Sequence, residues 1–218
     1  MSTCKGLNRL EKIFYINLSH RADRNALILS QLKKLGVKEE KIERIEGEHD
    51  VLNGHRGCAL SHIKALKLAQ ERGLKEVLIL EDDAFFLADN DEIETHLGYF
   101  YDRIKTYDIF FLGGRIKKSE PSSFAGISRV KSSRRAHAYL VNSHYIPKLL
   151  ACFESCYQKL LSIPFAKNAP DETIIDIAWD TLLQNDLAFT TKNLVFQRGG
   201  YSDIQHVRYD DIDELIKE

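Results

Sequence analysis

Along this chain, apolar blocks switch between a strand period and a helix period. Ile13-Phe14-Tyr15-Ile16 is a short β-prone run after a charged start and predicts a buried first strand. A polar stretch from Asn17 to Arg24 follows. From about Asp23 the period becomes helical, with Ile28, Leu32 and Leu35 on one face and Gly36 as a natural stop. Ile42 and Ile45 mark a second short strand. A polar loop with Gly47, Gly54 and Gly57 leads into a helix from about Cys58 to Arg72, whose apolar side carries Ala59, Ile63, Leu66 and Ala69. Val77-Leu78-Ile79-Leu80 is the strongest strand signal, a continuous apolar run suited to a central strand covered on both faces.

Further on, Ile109-Phe110-Phe111-Leu112, stopped by Gly113-Gly114, predicts another buried strand. Residues 115–127 read as a polar loop, and Ala136 to Val141 as a strand. A helix is expected over Ser143 to Leu160, with Pro147 tolerated in its first turn. Another is expected over Glu172 to Asn185, after a breaker-rich stretch with Pro164 and Pro170. The polar tail from Gly199 is expected to wrap the surface. Strand and helix alternate throughout, which points to an α/β layered fold. Without repeat or linker, the chain reads as one domain over residues 1–218, with a core of about 12–205 and a tail of 206–218.

Composition narrows the class. The 218 residues are long enough to bury a real core. Hydrophobic residues make up 44%, charged residues 29%, and the formal net charge is -1. That balance gives no support to a nucleic-acid partner or an anionic membrane surface. No apolar run approaches the ~20 residues of a transmembrane helix, and the start lacks the apolar core of a signal peptide. The expectation is therefore a cytoplasmic protein without a transmembrane segment. The four cysteines, Cys4, Cys58, Cys152 and Cys156, fit no disulfide framework or zinc knuckle and read as reduced thiols.

The chemistry concentrates after the strongest strand, which runs straight into Glu81-Asp82-Asp83. Three acids packed together repel one another, and each would have its pKa raised. A divalent cation removes that conflict by coordinating their oxygens. Ligands of open α/β sheets gather beyond the C-terminal ends of the strands, which is where this triplet sits. Taken alone, the triplet fits a metal site or a solvated turn equally well.

Other positions admit two readings. Arg21 and Arg24, after the first strand, suit a diphosphate or a base, or are solvated loop arginines. His62 lies on the apolar side of its helix and reads first as a packed, hydrogen-bonded core histidine. Ser61 has no evident base partner, which argues against a nucleophilic serine. Asp176 and Asp180, one helical turn apart beside Trp179, fit a base with a sugar platform or the wet face of an amphipathic helix. Gly113-Gly114 either admits a substrate close to backbone or simply ends a strand.

In their order, these segments resemble glycosyltransferase family 25. Phe14-Tyr15-Ile16-Asn17-Leu18 with Arg21, Asp23 and Arg24 is similar to the family's opening strand and Arg-containing loop. Gly57-Cys58-Ala59-Leu60-Ser61-His62 is similar to its Gly-Cys-x-x-Ser-His helix start, and Leu80-Glu81-Asp82-Asp83 to its Leu-Glu-Asp-Asp metal motif. Tyr107-Asp108-Ile109 through Gly113 is similar to the following strand. Ala138-Tyr139-Leu140-Val141 with Lys148-Leu149-Leu150 is similar to a later strand–helix unit. Asp176-x-x-Trp179, Gln197 and Ser202-Asp203-Ile204 resemble the C-terminal elements. The resemblance covers about residues 12–205.

The resemblance implies a GT-A fold: a Rossmann-like, mixed, mostly parallel sheet with helices on both faces. It implies a UDP-sugar donor, Mn2+ or Mg2+, inversion at the anomeric carbon, and a glycan, lipopolysaccharide or protein acceptor. The chain's length predicts an acceptor other than collagen. The usual aspartate-any-aspartate motif reads here as Glu81-Asp82-Asp83, which leaves open which acids touch the ion. On this resemblance Asp83 is expected as a metal ligand, with Glu81 and Gln197 as further candidates. Asn17, Arg21, Arg24, Glu81 and Asp82 are expected around the nucleotide. Asp176 is expected as the general base, with Asp180 as second choice. Two other classes stay in view. One is a catalytically silent nucleotide-sugar or carbohydrate-binding module. The other is a metal-dependent phosphohydrolase, whose two-metal sites need more Asp and His ligands than the chain offers.

Overall fold

A computed structural model describes residues 6–204 and 207–209. Cys4 and the tail from Asp210 onward lie outside the described residues. In chain order the elements begin with β1 (Lys12–Asn17), α1 (Ala22–Lys34), β2 (Ile42–Glu46), α2 (Gly54–Glu71), β3 (Glu76–Glu81), β4 (Ala84–Phe86) and α3 (Asn90–Arg103). Then come β5 (Ile109–Pro121), β6 (Ser128–Asn142), α4 (Ile146–Leu160), α5 (Ile175–Ala178), α6 (Asp180–Leu183), β7 (Ala188–Thr190), β8 (Val195–Gln197), β9 (Gly200–Tyr201) and β10 (Arg208–Tyr209). Among the described residues no helix is long and apolar enough to cross a membrane.

Six strands form the main sheet in the order β2-β1-β3-β6-β5-β7. β1 pairs in parallel with β2 and β3, and β5 with β7, while β6 runs antiparallel to its neighbours. The alternation of side chains across each strand divides the core in two. Phe14, Ile16, Val77 and Ile79 face one way and pack with Ile63, Leu66, Leu149, Phe153 and Trp179 from α2, α4 and the turn after α5. Ile13, Tyr15, Leu78 and Leu80 face the other way and pack with Ile28, Leu32, Ile93, Leu97 and Phe100 from α1 and α3. Helices therefore cover both faces, and the mixed, mostly parallel sheet is the Rossmann-like GT-A-type arrangement expected.

Several local expectations are corrected. Residues 115–127 are largely not loop: β5 runs on to Pro121 and pairs with β6 from Ser128, making a two-stranded ribbon whose β6 end, Ser128 and Arg129, also pairs with β7 of the main sheet. Its β5 half is mostly solvent-exposed, so no apolar alternation announces it, while its β6 half buries Val130, Lys131 and Ser133 and bonds to Trp179 and Gln184. Register shifts at Phe111/Gly113 and Gly113/Arg115 interrupt the ladder where the ribbon begins, as β-bulges do. A Cβ on Gly113 would run into the Val195 carbonyl oxygen, so only glycine lets β8 approach there.

The helix expected over Glu172 to Asn185 is a 3-10 turn followed by two one-turn helices meeting at Trp179. α2 begins four residues earlier than expected, at Gly54. Helix α3 goes beyond the elements read from the pattern, although Asp89 caps it by accepting from the Glu92 N–H and Ile93, Leu97 and Phe100 line its buried face.

Candidate functional site

The C-terminal ends of β1, β2 and β3 reach one edge of the sheet in register, with Asn17 opposite Glu46 and Ile16 opposite Glu81. Ala138 of β6 lies beside Leu80 and Gly113 at the same edge. Beyond this edge opens a cleft of about 410 Å³. Glu81, Asp82 and Asp83 line its floor. The loop from Glu48 to Asp50 and the start of α2 make one wall, Ile174 to Ile177 another, and Gln197 to Ile204 a third. The segment expected to wrap the surface as tail therefore forms, up to Ile204, a side of the cleft. It lies so close to α2 that a Cβ on Gly54 would meet the Ile204 backbone.

Each acid of the triplet has its own partners. Glu81 Oε1 lies 3.1 Å from His62 Nε2, and His62 Nδ1 lies 2.9 Å from the Tyr139 hydroxyl. Asp82 accepts from Asn17 Nδ2 at 2.7 Å and from Arg24 Nη1 at 3.0 Å. Asp83 Oδ2 accepts from the same Arg24 nitrogen at 3.0 Å and from Gln197 Nε2 at 3.3 Å. The other oxygen of Asp83, Oδ1, is buried without a hydrogen-bond partner.

Burial pushes the Asp83 carboxyl up to about 7, with the Glu81 charge adding to it and Arg24 opposing. Asp82 is raised mainly by burial, although Arg24 and Asn17 pull the other way. Burial also works against the Glu81 charge, but the hydrogen bond from His62, with His137 and Arg24 nearby, wins and holds Glu81 below its ordinary value. Three crowded acids thus sort into one held ionised and two that resist ionisation.

An orphaned, buried carboxylate oxygen beside further carboxylates and a carboxamide is the donor set of a hard divalent cation. The residues present fit Mn2+ or Mg2+ in that respect. The Arg24 guanidinium meanwhile supplies positive charge to Asp82 and Asp83, and its Nη2 donates to the Tyr201 carbonyl at 2.8 Å.

Not every expected residue reaches the cleft. Asn17 is buried beneath Asp82 and does not line the opening. Its Nδ2 donates to Asp82 and to the Arg21 carbonyl, and its Oδ1 accepts from Arg44 Nε, so both amide protons are spent on the scaffold beneath the cleft. Arg21 is tied to Asp23 and to Asp203 and ties the third wall to α1. Asp176 and Asp180 do not act on a common face. Asp176 lines the cleft, and its Oδ2 accepts from the Arg135 backbone N–H at 2.6 Å. Asp180 points to the ribbon, accepting from the Ser132 hydroxyl, the Ser133 N–H and Arg134. The two diverge because each is captured by a different residue of β6. Trp179 is no open platform: it is fully buried and donates from Nε1 to the Ser133 carbonyl.

Residues that the sequence did not single out complete the site. Arg135 lines the cleft with φ at 69°, the only non-glycine residue at positive φ among the described residues. That left-handed twist, next to the β5 bulges, aims its N–H at Asp176. Burial raises the Asp176 carboxyl despite that hydrogen bond. Asp50 holds the loop before α2 by accepting from the Leu52 and Asn53 N–H groups and pairing with Arg56. Local sequence carries no signal for the Arg135 twist, whereas an Asp that accepts from the N–H groups two and three residues on is a legible turn. Cys58 and His62, on one face of α2, both line the cleft. His62 is the satisfied core histidine expected, and it also braces Glu81.

Comparison with known proteins bears on this geometry. The chain resembles in structure the mannose-1-phosphate geranyltransferase from Thermus thermophilus, with a TM-score of 0.50 at 9% identity over 86% of this chain and 75% of that one. It resembles A197 from STIV with a TM-score of 0.50 at 12% identity, over 87% of this chain and 86% of that one. At such identities these likenesses speak to the fold alone. No curated protein matches the chain by sequence. The profile of glycosyltransferase family 25, the LPS biosynthesis protein family, matches residues 39–164, more than half of the chain and inclusive of Cys58, His62 and the acidic triplet. The chain belongs to glycosyltransferase family 25.

Proposed function

We propose that this chain transfers a hexose, with inversion, from a UDP-sugar to a hydroxyl of a glycan, lipopolysaccharide or protein acceptor, using Mn2+ or Mg2+, in the cytoplasm. The observation that carries the reading is the acidic triplet at the end of β3, facing a cleft, with Asp83 Oδ1 buried and unpartnered. Asp83 and Glu81 would hold the cation, with Gln197 beside them. When bound, such an ion acts as a Lewis acid toward the departing diphosphate.

The chain's own residues supply the rest. Arg24 and Arg135 line the cleft and favour a diphosphate there by charge. His62 and Tyr139 fix Glu81, and Asn17 fixes Asp82, so the floor need not reorganise as charge develops. Asp176 takes the proton of the acceptor hydroxyl. Its burial raises its proton affinity, as a base requires, and the Arg135 N–H holds it in place. Asp180, at the start of α6, spends its carboxylate on Ser132, Ser133 and Arg134 of β6, which favours Asp176 over it for that role.

The second reading, a silent nucleotide-sugar-binding module, is favoured by one observation: Arg24 already pairs with two of the acids. The experiment is UDP release over a panel of UDP-sugars with Mn2+, with and without added acceptors. Release that grows with an acceptor supports transfer. Binding without release supports the module, and release without any acceptor means hydrolysis. In the same assay Asp176→Asn keeps donor binding and lowers turnover by ~10²–10⁴-fold. Full activity in that variant removes Asp176 from the mechanism.

A further inference from the structure

Cys58, His62 and Glu81 bring a sulfur, an imidazole nitrogen and a carboxylate oxygen within 4.8 Å of one another on the cleft floor. Cys58 and His62 are one helical turn apart on α2 and so project from one face, as helical metal-binding pairs do. Glu81 comes from a different element, the end of β3. A helical i, i+4 pair joined by one remote ligand is a three-point cradle whose geometry two rigid elements fix.

From this arrangement we propose a second cation site in the cleft, formed by Cys58 Sγ, His62 Nε2 and Glu81, that takes a thiophilic divalent ion of the Zn2+ class.

The distances fit such an ion. Tetrahedral Zn2+ with Zn–N and Zn–O of about 2.0–2.2 Å places the N and O ligands roughly 3.3–3.5 Å apart. His62 Nε2 and Glu81 Oε1 are 3.1 Å apart. For Zn–S of about 2.3 Å the sulfur would sit roughly 3.6 Å from the nitrogen, so, with the donor atoms within 4.8 Å of one another, Sγ needs to move in by at most about 1.2 Å. The tautomer is also provided for. On binding, the ion would replace the proton that Nε2 shares with Glu81, and the Tyr139 hydroxyl, 2.9 Å from Nδ1, would then accept from a protonated Nδ1. Such an outer partner is the usual companion of a metal-ligating histidine.

All three residues line the cleft, so the fourth coordination position opens into it, as at zinc sites that keep one position free. Burial first, and then the negative Glu81, Asp176 and Asp83, push the Cys58 thiol well above its ordinary value, so the ion has to displace the thiol proton, and the same three acids favour a cation there. The donor set differs from that of the proposed Mn2+ or Mg2+ position: sulfur and imidazole select soft or borderline ions, and carboxylates with a carboxamide select hard ones. The two sets share Glu81.

Cobalt(II) is the probe. Titrated into the full chain without nucleotide, it is expected to give a near-ultraviolet thiolate-to-cobalt charge-transfer band and tetrahedral visible bands at one equivalent, displaced by Zn2+. Cys58→Ser and Cys58→Ala should lose the charge-transfer band, and Tyr139→Phe should weaken binding by about 10–100-fold. Cys152→Ser/Cys156→Ser should keep the band. Far-UV circular dichroism and thermal unfolding confirm that each variant is folded. The proposal is overturned if the wild type gives no thiolate band, if the band survives in both Cys58 variants, or if it vanishes in the Cys152/Cys156 double variant. The measurement needs neither donor nor turnover, so its failure is separable from failure of the transferase reading.

Discussion

Asp83 is where burial and like charge meet, and exchanging it for its neutral isostere tests the electrostatics of the site. Its carboxyl is pushed up to about 7 by burial first and the Glu81 charge second, against 3.8 for the free group. Between those two values the folded chain keeps a proton that the unfolded chain has lost. The associated stability is therefore fully present below about pH 4 and is lost as pH rises to about 7. At 1.36 kcal/mol per unit, holding the charged form at pH 8 costs about 4 kcal/mol. The side chain is only 12% exposed, so water screens little of this.

Asp83→Asn removes the charge while keeping an oxygen to accept from Arg24 and Gln197. Its new NH2 group falls where Oδ1 is buried without a partner, which costs about 1–3 kcal/mol. The metal-free variant should therefore be more stable than the wild type by about 1–3 kcal/mol at pH 8. At pH 5, close to the unfolded value, less than half of the wild-type cost remains, so the advantage should shrink to nothing or reverse. Urea unfolding at both pH values, with chelator present, measures this. A difference between the proteins that is the same at pH 5 and pH 8, or a variant less stable at pH 8, refutes the reasoning.

Further outcomes follow from the same geometry. Asp180→Ala should cost about 1–3 kcal/mol in urea unfolding, because the Ser133 N–H loses its acceptor, yet leave UDP-sugar affinity unchanged; a loss of affinity would mean that Asp180 serves the cleft. Gly113→Ala forces a Cβ against the Val195 carbonyl and the His137 ring and should cost about 1–3 kcal/mol or more, read as a lowered Tm. Gly54→Ala should push the Ile204 backbone off α2 and raise the KM for donor, while helical content by circular dichroism stays unchanged; an unaltered KM would show that the third wall does not touch the donor.

Much of the architecture was legible in one sequence because burial imposes a period. The runs Ile13 to Ile16 and Val77 to Leu80 become neighbouring strands of the main sheet, and their alternate residues feed the two core layers. The acidic triplet was legible for a related reason: charge directly after a fully apolar strand has to sit at the sheet edge. The ribbon was not legible. Its β5 half, residues 115–121, is polar and mostly exposed and is held by pairing with the strand that follows it, and pairing of that kind imposes no apolar period. The same holds for α5 and α6, whose helical period is real but is broken at Trp179, with Asp176 and Asp180 drawn to different residues of β6.

What the sequence determined by itself is the order of the elements, their buried faces and the position of Glu81-Asp82-Asp83 at the end of a central strand. Hydrophobic periodicity is a local property, and it suffices for that. Only the tertiary structure decided that Asn17 lies beneath Asp82, that Arg24 bridges two acids, that Asp176 enters the cleft while Asp180 leaves it, and that Cys58 and His62 stand beside Glu81. Those facts depend on distances between side chains brought together from separate elements, and no local pattern encodes such distances.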